Sequence, residues 1–381
     1  MIDRAVHERR RSAQRQREVT KLDPALEPGT IVEGRYRIAR RLGSGGMSTV
    51  VEAEVIEAVP FATGGRVALK VLHRALSASQ ESIARLLREA DVVRTLAHEN
   101  VCAVYDMGRT ANGQPYLVME FLEGENLAER IERAGRLDIV EVVTVLTPVL
   151  AALEAAHERG VIHRDLKPEN IFIVDAARGA ATRTKLLDFG VARNFGHDRE
   201  QQRLTDTGMV MGTPYYMAPE QARGEGKLDQ RVDVWALGVI LYEALTGERP
   251  FHAGNYNALL VKILTQQPRE ILQVVPELPP LIALVVEKAL AKRPEERFQT
   301  VRELGAALEL AARELAVPWD DLDDPTVALP DRSAVALGVA LGSSLGAFGN
   351  HDARRSEPTS TKAAQRSEMT DAGDTEILRR R

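Results

Sequence analysis

The sequence predicts an α+β fold in two lobes, a small strand-rich one followed by a larger, mainly helical one, with a cleft between them. Three observations lead there. Short strand-like apolar runs crowd the stretch from Tyr36 to Glu120. From residue 126 to 315 the apolar positions recur mostly at helical spacing. The 381 residues, 44% hydrophobic and 28% charged, are ordinary for a globular chain and too apolar for wholesale disorder.

Residues 1–34 read as a polar, basic N-terminal extension ending in Pro28-Gly29; Arg4, Arg9, Arg10, Arg11, Arg15, Arg17 and Lys21 outnumber Asp3, Glu8 and Glu18. No apolar run follows them, so no secretory signal is expected. Strands are expected at Tyr36–Leu42, Val50–Val55, Arg66–Leu72, Val101–Met107 and Tyr116–Glu120. Between the third and fourth, Ile83, Leu86, Leu87, Ala90 and Val93 mark one apolar helix face. The large lobe is expected to hold helices at Val140–Arg159, Val232–Thr246, Tyr256–Leu264, Leu281–Ala291 and Thr300–Ala316. Residues 35–122 and 123–315 are the expected lobes. Residues 316–381 turn to Asp, Pro, Ser, Thr and Gly and read as a flexible low-complexity tail, with Asp320-Asp321-Leu322-Asp323-Asp324-Pro325 at the break. Its apolar stretch 334–349 is rich in Gly and Ser and shorter than the roughly 20 residues that span a bilayer, so membrane association through it is not expected.

Composition excludes several classes. Fifty basic against 55 acidic side chains give a net charge of −5, so no nucleic-acid partner is expected. The one cysteine, Cys102, rules out a disulfide framework and multi-cysteine metal sites and suits a reducing cytoplasm, the expected location. Aromatics are 4%, so Leu, Val, Ile and Ala must build the core.

Four segments carry chemistry. Gly43-Ser-Gly-Gly-Met-Ser48-Thr-Val50 lies between two strands, where glycines let a backbone approach phosphate oxygens; alone, such a loop is more often a plain hairpin turn. Its place between strands argues against a dinucleotide fingerprint or Walker loop. Lys70, in Val67-Ala-Leu-Lys70, puts an ammonium in a mostly apolar strand, where it must be paired or reach water. Glu89, on the apolar-faced helix, is a candidate partner. His163-Arg-Asp-Leu-Lys-Pro-Glu-Asn170 sets Asp165 to meet a hydroxyl and Asn170 to offer an amide oxygen to a hard cation, which Asp188 of Asp188-Phe-Gly190 can share.

The order of these segments, closed by Ala218-Pro-Glu220, resembles the eukaryotic-type (Hanks-type) protein kinases, in a bacterial-like version, from about Tyr36 to Leu310. The resemblance implies a bilobal kinase fold, with a small antiparallel sheet lobe carrying one helix. It implies ATP and Mg²⁺ (or Mn²⁺) as cofactors and transfer of the γ-phosphoryl group to protein. By it, Leu42, Gly43, Ser44, Gly45, Gly46, Met47, Ser48, Val50, Ala68, Met119, Glu120, Leu122 and Phe172 line the nucleotide site, with Met119 at the back of the adenine pocket and Glu120 to Leu122 as the hinge. Lys70, paired with Glu89, contacts the α/β-phosphates; Asp165 is the base, Lys167 neutralises the γ-phosphoryl group, and Asn170 and Asp188 hold the metal. Leu-Lys-Pro-Glu-Asn and Gly212-Thr213-Pro resemble serine/threonine rather than tyrosine kinases. Ser48 replaces the loop's third glycine, a small residue for a small one.

Further roles follow from the same likeness. Asp233 resembles the carboxylate that holds the catalytic loop from beneath, and Arg297 the arginine that pairs with Glu220. Arg164 marks control by phosphate, with Thr205 and Thr207 as expected autophosphorylation sites and Thr213 in contact with the base and its lysine. Thr326 and Thr375 each follow an Asp and are candidate docking sites for a phosphothreonine-binding, FHA-like partner. A homodimer through the back of the small lobe is a further expectation. A partner-binding scaffold without transfer is the alternative, but Lys70, Asp165 and Asp188 are all present. A small-molecule phosphotransferase is opposed by Ala218-Pro-Glu220 and the long segment before it.

Overall fold

Short connections between strands of period two favour antiparallel pairing. The computed structural model describes residues 26–45, 48–57, 65–73, 94–175, 183–189 and 214–313. Its small lobe is one antiparallel sheet in the order β1-β2-β3-β4-β6-β5: β1 (Ile31–Val32), β2 (Tyr36–Ser44), β3 (Ser48–Val55), β4 (Arg66–Leu72), β5 (Val104–Arg109) and β6 (Pro115–Glu120). The register sorts the two faces. Val50 and Leu117 lie opposite Lys70, and Glu52 and Met119 opposite Ala68, so these six share the face toward the cleft. Val51, Ala53, Val67, Leu69 and Val71 point the other way and form a core with Tyr36, Ile38, Tyr116 and Val118.

Two features of this lobe differ from expectation. Residues 26–34 are not simply polar extension: β1 pairs with β2, and Leu26 and Val32 are buried in the sheet core. Two isolated apolar side chains leave no periodic signal. The fourth strand starts at Val104 rather than Val101, because Val101 makes a parallel bridge to Leu186 of the large lobe. The expected helix around Ile83–Val93, with Glu89, lies outside the described residues, as do Gly46, Met47, Thr205, Thr207, Thr213, Thr326, Thr375 and the 334–349 stretch.

The large lobe begins with β7 (Gly124–Asn126) and α1 (Leu127–Ala134), where Asn126 and Glu129 cap each other's backbone N–H groups. Then follow α2 (Ile139–His157), β8 (Ile171–Val174) and β9 (Arg183–Leu186); β7-β8-β9 form a second antiparallel sheet. Among the described residues α2 is the one helix long and apolar enough to cross a bilayer, and its packing against α4, α8 and β9 inside the lobe accounts for that composition. The remaining helices are α3 (Pro219–Ala222), α4 (Arg231–Thr246), α5 (Tyr256–Thr265), α6 (Ile271–Val274), α7 (Pro280–Ala289) and α8 (Val301–Arg313). Helix α4 is buried from Val232 through Leu245 and forms the lobe's axis. Gly238 lets α7 approach it: a Cβ there would meet that of Ala289 at 2.8 Å.

Candidate active site

Asp233, in the first turn of α4, is the anchor of the site. Its Oδ2 accepts from the His163 backbone N–H at 2.9 Å and from His157 Nε2 at 2.8 Å, while Oδ1 accepts from the Arg164 N–H at 2.9 Å. Arg164 sits at φ +63°, a left-handed conformation unfavourable for a non-glycine residue, and the Asp233 carboxylate holds it there. The arginine's carbonyl accepts from Gln221 Nε2 at 3.0 Å, which ties the loop to α3. His163 then donates through Nε2 to Leu187 O at 3.0 Å and packs its ring on Phe189. Asp188, between them, is also left-handed, at φ +48°. One buried carboxylate thus orients the loop from 163 and, through His163, the strand end that carries Asp188.

The 3₁₀ turn Pro168–Asn170 brings Asn170 back under Asp165. Asn170 Nδ2 donates to Asp165 O at 2.8 Å, and the Asn170 backbone carbonyl accepts from Leu187 N–H at 2.8 Å. With its nitrogen committed, the amide presents Oδ1 as its acceptor. Lys167 Nζ lies 3.6 Å from Asp165 Oδ2.

Lys70 Nζ lies 2.7 Å from Asp188 Oδ2, so the small-lobe cation meets the large-lobe carboxylate across the cleft. Burial would raise the Asp188 carboxyl; the Lys70 charge and hydrogen bond, with His163 and Lys167 adding, outweigh that and hold it below the ordinary aspartate range. Glu89, the partner expected for Lys70, lies outside the described residues.

Val50, Ala68, Lys70 and Met119 share the cleft face set by the sheet register. The glycine hairpin closes through Gly45 N–H to Ser48 O at 2.9 Å, and Ser44 and Thr49 hydroxyls meet at 3.2 Å. A Cβ added at Gly43 or Gly45 would meet nothing within 4 Å, so their backbone stays open to an approaching group. Leu42 is exposed at the rim, while Leu122 and Phe172 are half-buried.

Some of the site's partners went unread in the sequence. Glu120 does more than occupy the hinge: its Oε2 accepts from Lys185 Nζ at 2.6 Å and from the Ala103 N–H at 3.3 Å, fastening the hinge to β9. Cys102 lies beside it, buried, its thiol pushed up to about 12 by burial and by Glu120 and Asp188. Lys185 and Glu120 are separated by 65 positions, and no periodicity joins them.

The structural pair is complete. Arg297 Nη1 and Nη2 donate to Glu220 Oε1 and Oε2 at 2.7 and 2.8 Å, and the same guanidinium reaches Ala291, Arg231 and Lys292 carbonyls. The pair fixes α3 to the loop before α8.

A model of the protein kinase domain matches residues 36–307. The chain is 42% identical over 281 residues to the serine/threonine-protein kinase Pkn1 of Myxococcus xanthus, covering 74% of this chain and 39% of that protein. It is 35% identical over 304 residues to the serine/threonine-protein kinase PknL of Mycobacterium tuberculosis, covering 80% of this chain and 72% of that one. A crystal structure of the Mycobacterium tuberculosis PknI kinase domain, 28% identical, aligns with a TM-score of 0.59 over 75% of this chain and all of that one. The chain spans about two fifths of Pkn1 and about half, 51%, of the Myxococcus xanthus kinase pkn3.

Proposed function

The chain belongs to the protein kinase domain family, and from that premise we propose that it transfers the γ-phosphoryl group of ATP to serine and threonine hydroxyls of proteins. The observation that carries this is the 2.7 Å contact of Lys70 with Asp188 across the cleft, beside Asp165, Lys167 and Asn170. The names of Pkn1 and PknL, and Lys167 within Leu-Lys-Pro-Glu-Asn, support hydroxyl acceptors of the Ser/Thr type. Residues 35–315 are the proposed catalytic unit, with Leu26 and Val32 completing its small-lobe core.

The problem to be solved is charge: an alcohol must approach a polyanionic nucleotide. Asp165 orients the hydroxyl and accepts its proton as the oxygen bonds to the γ-phosphorus. The bond to the β–γ bridging oxygen breaks, and Lys70 and Lys167 offset the negative charge. The family uses ATP with a divalent cation. Asn170 Oδ1 and the Asp188 carboxylate are hard oxygen donors suited to Mg²⁺, which favours one or two protein oxygens plus substrate phosphates. When bound there, the cation supplies positive charge beside the phosphates.

Asp165→Asn tests the reading with radiolabelled ATP and protein acceptors. Wild type should label Ser or Thr, and the variant should lose on the order of 10²–10⁴-fold of the rate. Wild-type labelling of a small molecule, or none, overturns the assignment. Phosphosite mapping on wild type and Lys70→Met decides Thr205, Thr207, Thr326 and Thr375 together: phosphate present only on active protein supports autophosphorylation.

A further inference from the structure

Away from the catalytic loop, the large lobe carries a pocket of about 560 Å³. Ile139, Val140 and Val145 of α2 and Ile173 of β8 give it an apolar lining, edged by Arg130 of α1 and Glu141, which pair at 2.6 Å. Val140 is 66% exposed there, an apolar side chain on a helix whose other face is packed.

The course of α8 indicates what covers this pocket. Arg302, in the first turn of α8, pairs with Glu154 and Glu158 near the C-terminal end of α2. Gly305 sits against Leu150, where a Cβ would come to 3.3 Å. The two helices are therefore antiparallel, and eight further residues at about 1.5 Å each bring Arg313 level with roughly Val142, at the pocket end of α2. The sequence continues Leu315-Ala-Val317-Pro-Trp319-Asp-Asp-Leu322-Asp-Asp324. Leu315, Val317 and Trp319 alternate with period two, so an extended chain lays all three along one side. At about 3.3 Å per residue, the six steps from Arg313 to Trp319 reach up to ~20 Å. The aspartates that follow carry charge opposite to Arg133, which is 61% exposed on α1 and pairs there with Glu125 at 2.7 Å.

We propose that the pocket walled by α1, α2 and β8 is the docking site of this chain's own residues 315–324, with Trp319 as the side chain that fills it. Docking tethers the start of the tail along α2, the helix that leads into the catalytic loop.

Cross-linking in the full chain tests this. Native Cys102 is buried with its thiol raised to about 12, so introduced thiols report alone. Val140→Cys with Val317→Cys should form a disulfide on mild oxidation at least tenfold faster than Val261→Cys with Val317→Cys, Val261 being an exposed valine of α5. Equal rates, no Val140 cross-link, or a cross-link joining two chains overturns the proposal. Trp319 gives an independent reading, since the chain's other tryptophan, Trp235, is fully buried. The emission that disappears in Trp319→Phe should be several-fold less quenched by acrylamide in native protein than in denatured; equal quenching overturns the assignment.

Discussion

Two ion pairs in this molecule use the same chemistry for opposite ends. Arg297–Glu220 joins two parts of the large lobe, with side chains 0% and 6% exposed. Three backbone carbonyls take further hydrogen bonds from the guanidinium. Lys70–Asp188 joins the two lobes, with side chains 16% and 36% exposed, on the face shared with Val50 and Ala68. The first pair is saturated and has nothing left to offer a ligand. The second opens onto the cleft, so under the proposed function its members exchange one another for phosphate and cation. Burial and the number of bonds separate the scaffold pair from the chemical pair; distance does not, since both close at 2.7 Å.

The largest expected effect lies in the scaffold pair. Arg297→Met leaves Glu220 charged and buried, and removing one partner of such a pair costs roughly 3–5 kcal/mol. Urea unfolding should therefore show a large fall in stability. Arg297→Met with Glu220→Leu should recover part of it, because no lone charge remains, but the Ala291, Arg231 and Lys292 carbonyls still lose their donor. If the double variant is no more stable than the single, the loss comes from those carbonyls and the pair itself contributes little.

Lys70→Met should invert that pattern. Phosphotransfer should fall about 10²–10³-fold, the scale for removing one fixed electrostatic group. Stability should change by under about 1 kcal/mol, as for partly exposed pairs. The acid limb of stability supplies a second reading. Because the folded Asp188 carboxyl is held below its unfolded value, its contribution is present above the unfolded value and fades as pH falls through the folded one. Lys70→Met should weaken that acid dependence. A large stability loss would make Lys70 a scaffold residue and erase the contrast.

The same contrast explains what was legible in the sequence. Asp165, Asn170 and Asp188 sit in local segments whose order survives as a pattern, so their likeness could be read before any geometry. Arg297 and Glu220 are 77 positions apart and were reachable only through that likeness. Glu120–Lys185 belonged to neither: an acidic hinge residue and a strand lysine look like solvated charges until the fold brings them to 2.6 Å. Strand β4 was legible to the residue because seven alternating or apolar positions fill it; β1 and β7, with two and three residues, are too short to carry a period. The left-handed turns at Arg164 and Asp188 also escape sequence reasoning: arginine seldom adopts that conformation, aspartate adopts it only at scattered single positions, and the surrounding hydrogen bonds decide where.

The last expected effect is a trend with pH, at a cation that sits on two aromatic rings. Lys292 lies over Trp235 and Phe251 at 4.9 and 4.2 Å and donates to Ile263 O at 2.7 Å. Burial, with the neighbouring Arg297, pushes its ammonium down to about 7. Between there and the ordinary lysine range the unfolded chain binds a proton that the folded one does not, so stability should rise with pH across that window. Lys292→Gln keeps a donor for the Ile263 carbonyl and cannot titrate. The stability of wild type relative to this variant should therefore climb from about pH 7 toward pH 10. The two ring faces favour the charged ammonium and oppose this trend. A difference that is flat or falls over the same window would mean that the rings outweigh burial, and that the large-lobe interior can hold a cation without the anion that Lys70 has in Asp188.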